Sequence, residues 1–183
     1  MEDFRDRVYG WSLNLIEKGH ILEGIFLLLS TWNFAYFRYH MIDFKLNEFE
    51  DILRKCDFDF FKSKRFETAN LSDAEIEKRI ESMYGSLSGI EAIRYVGATK
   101  IMHLLNPDLF MMWDNSVIKG YAGKMGRRAI NTSSKGYMNF MREMQRGFLN
   151  GEFPKPQQGE TVPRAIDIYN LKAFPRKSSK KPS

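Results

Sequence analysis

Lys100 and Asp114 are the two side chains of this 183-residue chain whose types and spacing could do chemistry together. A neutral lysine amine is a nucleophile toward an electron-poor carbon, and a nearby carboxylate stabilises the positive charge that develops there. Both lie in Val96 to Val117, VGATKIMHLLNPDLFMMWDNSV. Here Gly97 is expected to break the chain, Ala98 to Leu105 to form a short helix, and Pro107 to end it. An apolar run, Leu109 to Trp113, then delivers Asp114 to the start of the next helix as its N-cap. Ala98, Ile101, Met102 and Leu105 recur at i, i+3, i+4 and i+7, which predicts an inward face and sets Lys100, His103 and Leu104 on the opposite one.

The elements that must position this pair all read as helices. Phe4 to Lys18 carries apolar residues at 4, 8, 11, 15 and 16 and ends at Gly19. A second helix is expected from about Ile21 to His40, apolar on most sides and therefore central. Leu46–Lys55 and Asp57–Lys64 read as short helices, and Ser72 with Glu75 forms a capping box for Asp73 to Tyr84. Leu87 to Arg94 reads as a further helix. Another begins over Ser116 to Tyr121, after which Gly120, Gly123 and Gly126 open a basic loop. Thr132 or Ser133 caps a helix reaching Asn150, and Val162 to Phe174 is the last, with Pro163 in its first turn. No alternating apolar run bounded by hairpin turns is present. The fold class is all-α: residues 1–174 as one compact helical domain, or two small lobes, followed by a disordered basic tail over 175–183.

Composition narrows the function classes. A single cysteine, Cys56, excludes an internal disulfide framework and a four-cysteine metal or iron–sulfur site. The histidines at 20, 40 and 103 have no ligand spacing, so neither a metal nor another cofactor is expected. The N-terminus lacks a basic start followed by an apolar core, and the longest uncharged run, Gly24 to Phe37, is shorter than the ~20 apolar residues of a membrane helix. A cytoplasmic protein with no membrane partner is the expectation. Net charge is +5, but residues 1–96 hold 13 Lys/Arg against 17 Asp/Glu while residues 97–183 hold 15 against 6. Lys119, Lys124, Arg127, Arg128, Lys135, Arg142 and Arg146, opposed only by Glu143, predict a positive surface beside the Lys100/Asp114 region. Such a surface attracts nucleic acid phosphates, anionic lipid or acidic protein.

The order helix, tight turn with glycine, helix with an early lysine, apolar run, aspartate, helix resembles the helix-hairpin-helix DNA glycosylase superfamily, in particular its 8-oxoguanine branch. The stretch concerned is roughly Leu87 to Val117, with Val96-Gly97-Ala98-Thr99-Lys100 at the lysine-bearing hairpin and Trp113-Asp114-Asn115-Ser116-Val117 at the aspartate segment. Thr99 to Asp114 also satisfies a [ST]-K-x-x-H-x-x-x-P-x-x-F-x-x-x-D pattern, similar to uncharacterised prokaryotic proteins. The resemblance implies a helix-hairpin-helix-like element and an enzyme of base-excision repair, a DNA glycosylase with lyase activity on an oxidised base. In that reading a damaged base leaves the duplex and Lys100 attacks C1′ as a neutral amine, giving a Schiff base. Asp114 holds negative charge beside the oxocarbenium-like sugar. Backbone N–H groups around Gly97 bind a DNA phosphate, with Lys119, Lys124, Arg127 and Arg128 adding further phosphate contacts. Trp32, Asn33, Phe34 and His103 form the base pocket.

Each of these residues also has a plain structural role. Lys100 would be a solvated surface lysine, Asp114 a helix cap, His103 a histidine satisfied by neighbouring backbone, and Trp32 and Phe34 core filling. Asn33 differs, since a buried amide needs partners. Two other functions are compatible with the sequence: a non-catalytic helical module that binds DNA or RNA, and a protein-interaction domain.

Overall fold

In the computed structural model, which describes residues 4–175, two thirds of the chain is helical and the described residues contain no strand. The expected all-α class is correct. α1 (Phe4–Glu17) and α2 (Ile21–Trp32) form a hairpin across Gly19, whose φ of +86° is one that glycine adopts without steric cost. α3 (Phe34–His40) follows, then a 3₁₀ turn, α4 (Leu46–Lys55) and the single turn α5 (Phe58–Phe61), shorter than the sequence suggests. α6 (Ala74–Ser88) is capped by Asp73, whose carboxylate accepts from Glu75 N and Ile76 N, rather than by Ser72. Its C-terminal end takes in the start of the helix expected over Leu87–Arg94, and residues 89–93 are instead the turn into α7 (Arg94–Leu105). α8 (Asn115–Met125), α9 (Ser134–Leu149, N-cap Ser133) and α10 (Val162–Ala173, Pro163 in the first turn) complete the chain.

α7 is the central helix. Every residue from Gly97 to Leu104 is buried, against α6 on one side and α1 and α2 on others. The expected division of α7 into an inner and an outer face is therefore wrong. So is the central place given to Ile21–His40: that run breaks at Asn33, and α3 buries only Phe37 while Phe34 and Tyr39 stand exposed. Gly97 does not break the chain. It lies inside α7 with its N–H donated to Ile93 O at 3.1 Å, and a Cβ there would come within 2.9 Å of Ile93 Cγ2. Gly120 and Gly123 likewise lie within α8, and Gly126 (φ +90°) is where that helix stops.

The run from Leu109 to Trp113 is buried with no strand beside it. Asn106 O accepts from Leu109 N and Phe110 N at 3.2 and 3.1 Å, and side chains hold further backbone groups of the run. His103 Nδ1 meets Phe110 O at 2.7 Å, Tyr137 Oη donates to Met111 O at 2.7 Å, and Trp113 N donates to Thr99 Oγ1 at 3.4 Å. Asn106 Nδ2 holds the start of the segment to Phe61 O at 2.7 Å, and Trp113 Nε1 holds its end to Tyr95 O at 3.2 Å. This pinned strap carries Asp114 to the N-terminus of α8. The basic tail expected beyond Phe174, with Arg176, Lys177, Lys180 and Lys181, lies outside the described residues apart from Pro175.

Candidate functional site

Lys100 and Asp114 line the same cavity, of about 280 Å³, together with Arg5, Asp6, Trp32, Arg164, Asp167 and Lys172. Lys100 is 4% exposed and Asp114 6%, so neither is a solvated surface group. Beside the cavity runs a groove of about 960 Å³, with Arg5, Trp32 and Asp114 in the wall common to both. Asn33, Phe34, Tyr36, Asn115, Lys119 and Phe174 line the rest of the groove. Three of the four expected pocket residues, Trp32, Asn33 and Phe34, are thus assembled next to Asp114.

The break between α2 and α3 makes this arrangement possible. Where a continuous helix would occupy the carbonyl of Trp32 internally, here Trp32 O accepts from Lys100 Nζ at 2.5 Å. An ammonium at a helix C-terminus meets the negative end of the helix dipole, which offsets part of the cost of burying it. The Lys100 ammonium also lies 6.0 Å from the centre of the Trp32 ring. Asp114 is the N-cap of α8. Its Oδ1 accepts from Ser116 N (2.8 Å), Val117 N (3.0 Å) and Ser116 Oγ (2.7 Å), so the carboxylate's charge is held by three donors at the positive end of that helix.

α10 closes the cavity. Arg164 lies over Trp32 and Tyr9, 4.9 and 5.1 Å from their ring centres, and pairs with Asp167 and with Asp6 of α1, each at 2.6 Å. Asp167 is 4% exposed. Burial is the largest influence on its carboxyl and pushes it up from 3.8 to about 6, against the pull of Arg164 and then Lys100, with Asp114 adding to the rise. Burial likewise pushes the Tyr9 phenol well above its ordinary value of 10.

Three assignments change. His103 does not line the cavity or the groove: it is fully buried behind Tyr9, whose hydroxyl meets Nε2 at 2.7 Å. Burial takes its pKa down from 6.5 to about 4, so at neutral pH the ring is uncharged, with Nδ1–H donating to Phe110 O and Nε2 accepting from Tyr9. Gly97 cannot offer its N–H to a phosphate, because α7 already uses it. Of the expected cations, Lys119 stands exposed at the groove, whereas Lys124, Arg127 and Arg128 are exposed further along, at and after the C-terminal end of α8. Arg142 is tied into the fold by Glu77 at 2.8 Å and by Leu71 O at 3.0 Å, whereas Arg146 is an exposed side chain paired with Glu143 of the same helix.

The α10 side chains are functional candidates that the Lys100/Asp114 pattern does not point to. Arg164, Asp167 and Asn170 recur every three residues and are all buried. A polar stripe along the face of a helix that also carries Val162, Ala165 and Ile166 is the signal that marks them.

No protein-family model, curated protein or solved structure matches the chain. Among the described residues, no helix is long and apolar enough to cross a membrane. No group of three or more His, Cys, Asp and Glu among them is placed to hold a metal ion.

Proposed function

We propose that this protein is a base-excising DNA glycosylase with lyase activity, acting on an oxidised base through Lys100 and Asp114. The observation that carries this reading is the burial of both groups on one cavity, beside a groove lined by Trp32, Asn33, Phe34 and Lys119. The cavity lies just below the roughly 300–1,000 Å³ in which small molecules usually bind, a scale that suits one extruded nucleotide unit rather than a duplex. In this reaction the Lys100 amine forms a bond to C1′ as the C1′–N bond breaks and its electron pair leaves on the base. Ring opening then gives the iminium. The three protons of the starting ammonium end one on the iminium nitrogen, one on the former ring oxygen and one on the released base, so no co-reactant is required. Asp114 faces the positive charge that builds at C1′, and Lys119 at the groove suits a phosphate of the displaced strand.

The test is reductive trapping. Duplexes carrying an abasic site or 8-oxoguanine, incubated with the protein and borohydride, should yield a covalent adduct that Lys100→Ala abolishes. The absence of an adduct on every lesion tried would overturn the assignment.

A second reading has one observation in its favour. The Lys100 Nζ to Trp32 O hydrogen bond ties α7 to the end of α2, which is a structural use of the lysine. A non-catalytic nucleic-acid-binding module would then bind undamaged duplex in a salt-dependent way, with no adduct and little effect from changes at residue 100.

A further inference from the structure

We propose that the groove beside the cavity holds a single strand of DNA, with a base stacked on Phe34 and the backbone carried past Arg38, Arg94 and Lys119, so that the substrate is an unpaired strand rather than an intact duplex. The inference rests on the glycosylase reading in taking the groove as a nucleic acid site, and it deepens that reading by fixing the form of the strand.

Phe34 opens α3 directly after the break at Asn33, and its ring is 53% exposed on the groove wall, although phenylalanine is among the residue types most often buried. Arg38, one turn on, places its guanidinium 5.6 Å from the centre of that ring. Phe174 lines the same groove, with Lys124 Nζ 5.0 Å from its ring centre. Aromatic rings that each carry a cation, set in one groove, take unstacked bases together with the phosphates that join them. In an intact duplex every base face is covered by the next base, and only base edges and backbone are presented, so a ring inside a groove has nothing to stack on. The groove shares Arg5, Trp32 and Asp114 with the cavity. A strand lying in it therefore passes the cavity, where one nucleotide unit can turn in.

Arg94 is a second, independent observation. Among the described residues it is the non-glycine residue with a positive φ, +48°. An L residue is strained there where glycine would not be, and such strain persists at positions whose side chain is used. The side chain retained at this cost is exposed, with its guanidinium 5.3 and 5.8 Å from the ring centres of Tyr36 and Tyr95. Tyr36 lines the groove, and Tyr95 Oη donates at 2.9 Å to Oδ1 of Asn115, another groove residue. Arg5, Arg38, Arg94, Lys119 and Lys124 are all exposed in or beside the groove. Against them stand Glu91, which accepts from Tyr36 Oη at 2.6 Å, and Asp114, which caps α8. The excess is positive, as a phosphate backbone requires.

The experiment compares one sequence in two forms. The full chain is titrated by fluorescence anisotropy with an undamaged, labelled strand of about 12 nucleotides and with the same strand annealed to its complement, at several salt concentrations. The strand should bind roughly tenfold or more tightly than the duplex. Phe34→Leu, which keeps apolar bulk and loses the π face, should weaken the strand roughly tenfold and leave the duplex nearly unchanged. Arg94→Gly, which relaxes the backbone and removes the guanidinium, should lower the single-strand log–log salt slope by about 0.7 while the urea midpoint holds or rises. A duplex bound as tightly as the strand overturns the proposal, and that comparison needs no variant. So does a Phe34→Leu protein that binds the strand as wild type does, or an Arg94→Gly protein with an unaltered slope and a lower urea midpoint. A borohydride adduct on damaged duplex without any preference for the strand would keep the glycosylase assignment and remove this one. Strand preference with the expected variant effects, and no adduct on any lesion, would do the reverse.

Discussion

Replacing Asp167 by Asn should make this protein sensitive to acid in a range where the wild type holds steady. Two buried groups titrate there, and their effects on stability oppose each other. His103 has its pKa lowered from 6.5 to about 4 in the folded state. The unfolded chain therefore takes up a proton first, and stability is lost as pH falls from 6.5 toward 4. At ~1.4 kcal/mol per unit this loss is about 3 kcal/mol. Asp167 is raised from 3.8 to about 6, so the folded state binds the proton first and stability is gained as pH falls from 6 toward 3.8, again by about 3 kcal/mol. In the wild type the two nearly cancel. Asp167→Asn removes the gain and leaves the loss, while the amide oxygen can still accept from Arg164. Urea unfolding at half-unit steps from pH 7.5 to 4 measures this. With a slope of ~2 kcal/mol/M, the variant's midpoint should drop by about 1.5 M relative to wild type between pH 6.5 and 4. His103→Gln should do the opposite, gaining on wild type over the same range. A constant offset between Asp167→Asn and wild type at every pH would refute the reasoning, because Asp167 would then titrate alike in both states.

Glycine positions give predictions of both signs. A Cβ at Gly136 would lie 2.0 Å from the carbonyl oxygen of Asn131, a backbone atom that cannot swing aside, so Gly136→Ala should cost roughly 2 kcal/mol or more by denaturant unfolding. Gly85 lies inside α6 with open space around it, and Gly85→Ala should stabilise by about 0.5–1 kcal/mol in the same assay. A Cβ at Gly120 would stand 2.2 Å from the Phe174 ring, so Gly120→Ala should displace that wall of the groove and weaken any groove ligand with little change in the urea midpoint. Binding of undamaged duplex, followed by fluorescence anisotropy against salt, should lose a log–log slope of about 0.9 on Lys119→Ala. An unchanged slope would take Lys119 off the nucleic acid path.

How far the sequence was legible depended on the kind of information each element carries. Helices whose ends are marked locally are readable nearly to the residue: Leu46–Lys55 has the expected bounds, Asp114 caps α8 as expected, and of the two candidates Thr132 and Ser133 it is Ser133 that caps α9. The helices misread are those whose bounds depend on neighbours. Nothing in Trp32-Asn33-Phe34 breaks a helix by propensity, yet α2 stops there and its last carbonyl serves Lys100, 68 residues away in sequence. An isolated glycine weakens a helix, so Gly97 and Gly120 read locally as breaks, whereas in the fold they stand where Ile93 and Phe174 leave no room for a Cβ.

The sequence by itself determined the all-α class and singled out the candidate lysine and aspartate, because periodicity, capping and residue chemistry are local properties. The fold alone decided that Lys100 and Asp114 meet on one buried cavity, that His103 serves the strap instead of the site, and that Arg164 and Asp167 close it from the far end of the chain. Burial and long-range pairing arise only when distant segments pack together, and those set which polar groups lose water and which partners replace it.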